Sequence, residues 1–133
     1  MLPLNDTEPN RYSGMPWMTI VLIVVNTVIL TWELYLPEVA LRGVFWVFGS
    51  NPTHLWAREG AGIISVFTCM FLHSGIFHLL GNMLFLWVFG RRVEDACGPW
   101  RFLFFYLLAG TTSDLMTALA LPKQSVPGIG ASG

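Results

Sequence analysis

His78 and Asn82 stand four residues apart within residues 60–90, a run that contains no Asp, Glu, Lys or Arg. On a helix that spacing puts both side chains on one face, one turn apart. An imidazole and a carboxamide so placed aim two hydrogen-bond donors at one point, which is what a pocket for a developing oxyanion requires. At the far end of the chain, Ser132 lies in Gly130-Ala131-Ser132-Gly133, where small neighbours let a second segment approach the hydroxyl closely. A serine in that setting can act as a nucleophile if a base accepts its proton and donors hold the oxyanion. Each feature also has a plainer reading: His and Asn join helices in lipid without chemistry, and small-residue runs pack helices. A metal site is the poorest of the readings, because His73 and His78 have no third ligand or carboxylate nearby.

The elements that must position these groups are membrane helices. Of the 133 residues 54% are hydrophobic and 11% charged, and mean hydropathy is +0.60, outside the range of a soluble domain of this length. The formal net charge of -1 gives no argument for a nucleic-acid partner. Residues 1–14 are polar, carry Pro3 and Pro9, and lack the basic start and apolar core of a cleavable signal, so they read as a tail. Residues 17–36 form an apolar span between Pro16 and Pro37, with Glu33 as its single charge and Trp17, Trp32 and Tyr35 as interfacial anchors. Residues 37–59 mix charges with Val44, Phe45, Trp46, Val47, Phe48 and Trp56, which predicts a loop lying in the membrane interface. His54 within it reads as an exposed polar residue without a chemical role.

Residues 60–90, about 31 in number, would extend about 46 Å as one straight helix, beyond a hydrocarbon core of about 30 Å. The run must therefore break, and His73-Ser74-Gly75 is the place. This predicts a short buried segment, then a second span over about residues 76–93, a tight charged loop over residues 91–99, and a third span over residues 102–121. Residues 122–127 read as a turn, and Gly128 begins a glycine-rich end. The expected fold is all-α: a polytopic membrane protein with three transmembrane helices and a membrane-interface loop. A cytoplasmic tail puts Arg11, Arg91, Arg92 and Arg101 on the cytoplasmic side, against Arg42, Arg58 and Lys123 on the other, so the N-terminus is expected to be cytoplasmic. Cys69 and Cys97 fall at opposite ends of the second span, beyond disulfide reach. Asp114, inside the third span, should face the bundle or reach water near Ser132; the plainer alternative is a polar residue satisfied near the outer interface.

Residues 71–83, Phe-Leu-His-Ser-Gly-Ile-Phe-His-Leu-Leu-Gly-Asn-Met, resemble the second-span signature of the rhomboid intramembrane serine proteases. Leu84 to Gly90, Val93-Glu94-Asp95 and residues 98–110 continue the likeness, and Gly130-Ala131-Ser132-Gly133 is similar to the family's nucleophile motif, in the right order. The resemblance covers about residues 65–133. It implies part of a six-helix rhomboid-like bundle, residues 15–133 being a partial membrane domain, in which Ser132 is the nucleophile and His78 and Asn82, with the Ser132 backbone N–H, make the oxyanion hole. It further implies that Gly130 and Gly133 shape the loop at the site, that His73 fixes the loop before the second helix, and that Glu94 is a structural carboxylate at that helix's cytoplasmic end. No cofactor or metal is implied; the partners implied are the lipid bilayer and transmembrane protein substrates, cleaved by acyl transfer through a Ser-His dyad.

The chain departs from the family in two respects. The base histidine, which family members carry on a sixth helix, is not among these residues, so the 133-residue chain by itself is expected to be inactive. The Trp-Arg pair that many members carry before the second helix is also missing; Trp56-Ala57-Arg58 is the nearest sequence, and Trp100-Arg101 follows that helix. An alternative reading is a proteolytically inactive rhomboid-like protein that binds transmembrane clients.

Overall fold

A computed structural model of the chain describes residues 14–57, 62–121 and 128–130. Ser132 and Gly133 lie outside the described residues, as do residues 1–13 of the expected tail and the expected turn over residues 122–127. Among the described residues the fold is all-α and polytopic. Two helices, α1 (Trp17–Tyr35) and α7 (Pro99–Ala120), are long and apolar enough to cross a membrane. A bent pair, Gly62–Phe71 and Ile76–Cys97, whose axes meet at 85°, is long and apolar enough for a third crossing when taken as one span.

Helix α1 has the inverse of a soluble helix's pattern. Thr19, Leu22, Asn26, Leu30 and Glu33, spaced three and four apart, form its buried stripe, while Val21, Val24, Val28 and Trp32 face outward. In lipid the outward apolar face costs nothing, and the polar groups must be satisfied inside the bundle. Asn26 does so by donating Nδ2–H to the Leu22 carbonyl at 2.7 Å. The α1 N-terminus follows Pro16 and has no cap of its own. Its first-turn donors are taken by Glu94, whose carboxylate accepts from Met18 N, Thr19 N and Thr19 Oγ1, each at 2.8 Å. Glu94 is 2% exposed, and three donors at the positive end of a helix supply what its buried charge requires.

The segment expected as an interfacial loop is mostly helical: α2 (Glu38–Phe48) starts after Pro37, and α3 (Pro52–Ala57) starts at Pro52. Helix α2 buries no residue and exposes Val39, Trp46 and Phe48, as suits a helix lying in an interface. A short helix, α4 (Ser65–Thr68), is flanked by 3₁₀ turns at Gly62–Ile64 and Cys69–Phe71 and packs against α7.

The chain then turns at residues 72–75 into α5 (Ile76–Phe85), which runs through a π segment, Leu86–Gly90, into α6 (Arg91–Cys97). The charged stretch expected as a tight loop is therefore helix. Arg91, Arg92, Glu94 and Asp95 are compatible with a helix at an aqueous end, and the chain reverses only at Gly98, where φ is +90°, before Pro99 opens α7. A small core of Leu30, Leu79 and Met83, flanked by Ile23 and Leu86, joins α1 to α5. Cys69 and Cys97 are both free.

Candidate functional site

The break between Phe71 and Ile76 places His73 between α1 and α5. Its backbone N–H donates to Glu33 Oε2 of α1 at 3.3 Å. Its Nδ1 lies 3.1 Å from the Phe71 carbonyl, which can only accept, so Nδ1 carries the proton. Nε2 is then a lone pair, and Asn82 Nδ2 donates to it at 3.2 Å. The ring is 1% exposed, so all its hydrogen bonds are internal. His73 thus joins the re-entrant loop to α1 and fixes the Asn82 carboxamide by one of its two amide protons.

His78, one turn before Asn82 on α5, has the opposite tautomer. The Ser74 backbone N–H points at its Nδ1 at 3.5 Å, and Ser74 Oγ stands 3.1 Å from the same atom. With Nδ1 accepting, Nε2 carries the hydrogen. The His73 and His78 rings meet edge to face, with centroids 5.3 Å apart.

Residues 128–130 arrive at this face from the other side. Gly130 is buried with φ +93°, and its N–H donates to the Cys69 carbonyl at 2.8 Å. A Cβ built on Gly130 would stand 2.6 Å from both Cε1 and Nε2 of His78 and 3.1 Å from Asn82 Nδ2. Only a glycine therefore lets the backbone pack this closely against the Nε2 edge of His78 and the Asn82 amide, with no room for a methyl group between them. Of the residues singled out in sequence, His73, His78, Asn82 and Gly130 meet here, whereas Glu94 sits at the far end of the second span, against α1. His54 is elsewhere: its ring packs edge-on against Trp46, with centroids 4.1 Å apart.

The structure adds three residues to the site. Glu33 looked like a charge at a span's end, yet it is 2% exposed and holds His73; a carboxylate inside an apolar span was the available signal. Asp114 of α7 accepts a hydrogen bond from Ser50 Oγ at 2.5 Å, and Ser50 pairs with Gly128 through its backbone. Nothing in the sequence marks Ser50. Asp114, Thr117, Cys69, Gly128 and Gly130 line a cavity of about 100 Å³ beside the glycine segment.

Comparison with known proteins sets this geometry in a family. A profile of the Rhomboid domain matches residues 60–133. Rhomboid-like protein 11, chloroplastic, of Arabidopsis thaliana is 29% identical over 112 residues, 73% of this chain and 40% of that protein. The putative rhomboid protease YdcA of Bacillus subtilis is 32% identical over 106 residues, 71% of this chain and 53% of that protein. Rhomboid protease GluP of Bacillus subtilis is 44% identical over 66 residues, 50% of this chain and 12% of that protein. The chain thus spans about half or less of the length of the curated relatives it matches. No solved structure matches it.

Proposed function

Since the chain belongs to the rhomboid family, its Rhomboid domain taking up residues 60–133, we propose that it supplies the nucleophile and the oxyanion pocket of an intramembrane serine endopeptidase. Ser132 Oγ attacks the carbonyl carbon of a peptide bond in a transmembrane substrate while a histidine from outside residues 1–133 takes the hydroxyl proton. The tetrahedral oxyanion is held by the His78 Nε2–H, the Asn82 Nδ2–H that His73 leaves over, and the Ser132 backbone N–H. Collapse expels the amine, which receives the proton back from the base, and water then hydrolyses the acyl-enzyme by the same route. His73 is a positioning residue, since it orients Asn82 and is not among the groups packed on Gly130.

The observation that carries this reading is the close approach of Gly130, two residues before Ser132, to the His78 Nε2 edge and the Asn82 amide. Interhelical hydrogen bonding would account for the Asn82–His73 pair, but it does not call for a glycine backbone packed against the His78 ring edge. The test is cleavage of a transmembrane substrate in proteoliposomes by the complete gene product that contains these residues. Cleavage abolished by Ser132→Ala supports the proposal. Cleavage that survives Ser132→Ala overturns it, and a gene product that retains transmembrane clients without cutting them supports the inactive, client-binding alternative.

A further inference from the structure

Ser50 uses all of its polar groups to tie two distant parts of the chain together. Its backbone N–H donates to the Gly128 carbonyl at 3.0 Å, its carbonyl accepts from Gly128 N–H at 2.6 Å, and its hydroxyl donates to Asp114 Oδ2 at 2.5 Å. Ser50 is 2% exposed, so water does not replace these bonds. The turn that carries it is itself braced. Asn51 Oδ1 accepts from Thr53 N and Thr53 Oγ1 at 3.1 and 2.7 Å, and Thr68 Oγ1 of α4 donates to the Phe48 carbonyl at 2.6 Å. The next residue after Thr68, Cys69, holds Gly130 N–H at 2.8 Å. The glycine segment is thus gripped at two points, Gly128 by Ser50 and Gly130 by Cys69. Both grips meet at one side chain of a spanning helix, Asp114, which accepts from Ser50 Oγ and is also within hydrogen-bond reach of the Cys69 thiol.

We propose that Ser50 and Asp114 are positioning residues for the nucleophile segment: the Asp114–Ser50 hydrogen bond clamps Gly128 and thereby sets the approach of Gly130 to His78 and Asn82. The inference rests on the proposed function for its consequence in catalysis, though not for the clamp itself. A side chain inside a spanning helix that served only solubility or general packing would have no reason to accept from the one residue paired with Gly128. Asp114 Oδ1 also lies 3.9 Å from where a Gly128 Cβ would stand, so the carboxyl group borders the segment it restrains.

The clamp can be read in the 133-residue chain in detergent micelles by amide hydrogen exchange. Asp114→Ala and Ser50→Ala should each speed exchange at Gly128 and Gly130 about tenfold or more, with residues 22–30 of α1 unchanged. Asp114→Asn, whose Oδ1 still accepts from Ser50 Oγ, should restore exchange to within about threefold of the parent chain. Unchanged exchange at both glycines, exchange raised equally in α1, or failure of the Asn variant to rescue would each overturn the clamp. In the complete gene product the same Ala variants should lower kcat with KM little changed. If the exchange pattern holds but neither Ala variant affects cleavage that Ser132→Ala abolishes, the positioning role fails while the proposed function stands; if there is no cleavage to affect, the proposed function is what fails.

Discussion

Replacing Gly130 by Ala adds one methyl group at the point where the geometry has least room for it. At φ +93° an L side chain is strained by about 1–2 kcal/mol before any contact is considered. The new Cβ would stand 2.6 Å from His78 Cε1 and Nε2, so ordinary contact at 3.4 Å requires the ring, the segment or both to retreat by about 0.8 Å (3.4 less 2.6). Overlap of this kind in a packed site costs about 1–3 kcal/mol. The combined destabilisation is about 2–5 kcal/mol, concentrated at the site. A displacement of nearly 1 Å in an oxyanion donor should lower turnover by about a hundredfold. Gly128→Ala is the matched control: its φ is not positive, and its Cβ meets Ser50 O at 3.5 Å and Asp114 Oδ1 at 3.9 Å, both ordinary contacts. The assay is turnover of a transmembrane substrate by the complete gene product, alongside thermal unfolding of each variant in the same detergent. Near-equal effects of the two substitutions, or a Gly130→Ala enzyme within a few fold of the parent, would refute the convergence of Gly130 with His78 and Asn82.

His78→Ala and Asn82→Ala should each lower turnover by about a hundred- to thousandfold, as the loss of an oxyanion donor does elsewhere. Asn82→Ala should also lower the Tm, because His73 Nε2 loses its partner; unaltered turnover in both variants returns them to interhelical packing. Glu94→Ala strips three hydrogen bonds from the start of α1 and should cost about 3 kcal/mol or more in denaturant titration, with Glu94→Gln milder; a silent Glu94→Ala would contradict the buried cap. Cys69 and Cys97 should remain reduced under mild oxidant, and a mass shift on reduction that reports an internal bridge would refute their placement at the two ends of the second span.

The parts of the fold legible in the sequence are those governed by local physics. The apolar runs of α1 and α7 are bounded by Pro16, Pro37 and Pro99, and the excessive length of residues 60–90 required the break observed at residues 72–75. Residues 91–97 were misread as a loop because charge was taken as a sign of irregular backbone. At an aqueous helix end charge is neutral to helicity, and Gly98 alone stops the helix. Residues 37–59 read as an interfacial loop, whereas the structure has helices there that start after Pro37 and at Pro52, prolines that look like breakers unless taken as helix starts.

At the site, the spacing of His78 and Asn82 revealed a shared face. Which tautomer each histidine holds depends on Phe71 and Ser74, contacts that no spacing encodes. Ser50–Gly128 joins irregular segments with neither helical nor strand periodicity, so nothing local announces it, and although Glu33 stood out as a carboxylate in an apolar span, no spacing encodes its partner His73. Asp114 faced the site neighbourhood, as one of its two sequence readings had it, but its partner Ser50 lay in a stretch that the sequence left without any role.

The proposed function makes Ser132 an activated nucleophile beside the His78–Asn82 face. Treating the complete gene product in proteoliposomes with a fluorophosphonate and mapping the adduct by peptide mass spectrometry tests it most directly. The expected result is one phosphonylated residue, Ser132, with labelling slowed by His78→Ala and by Asn82→Ala. Stoichiometric labelling at another serine, or cleavage of substrate with Ser132 unlabelled and replaceable by Ala, would contradict it.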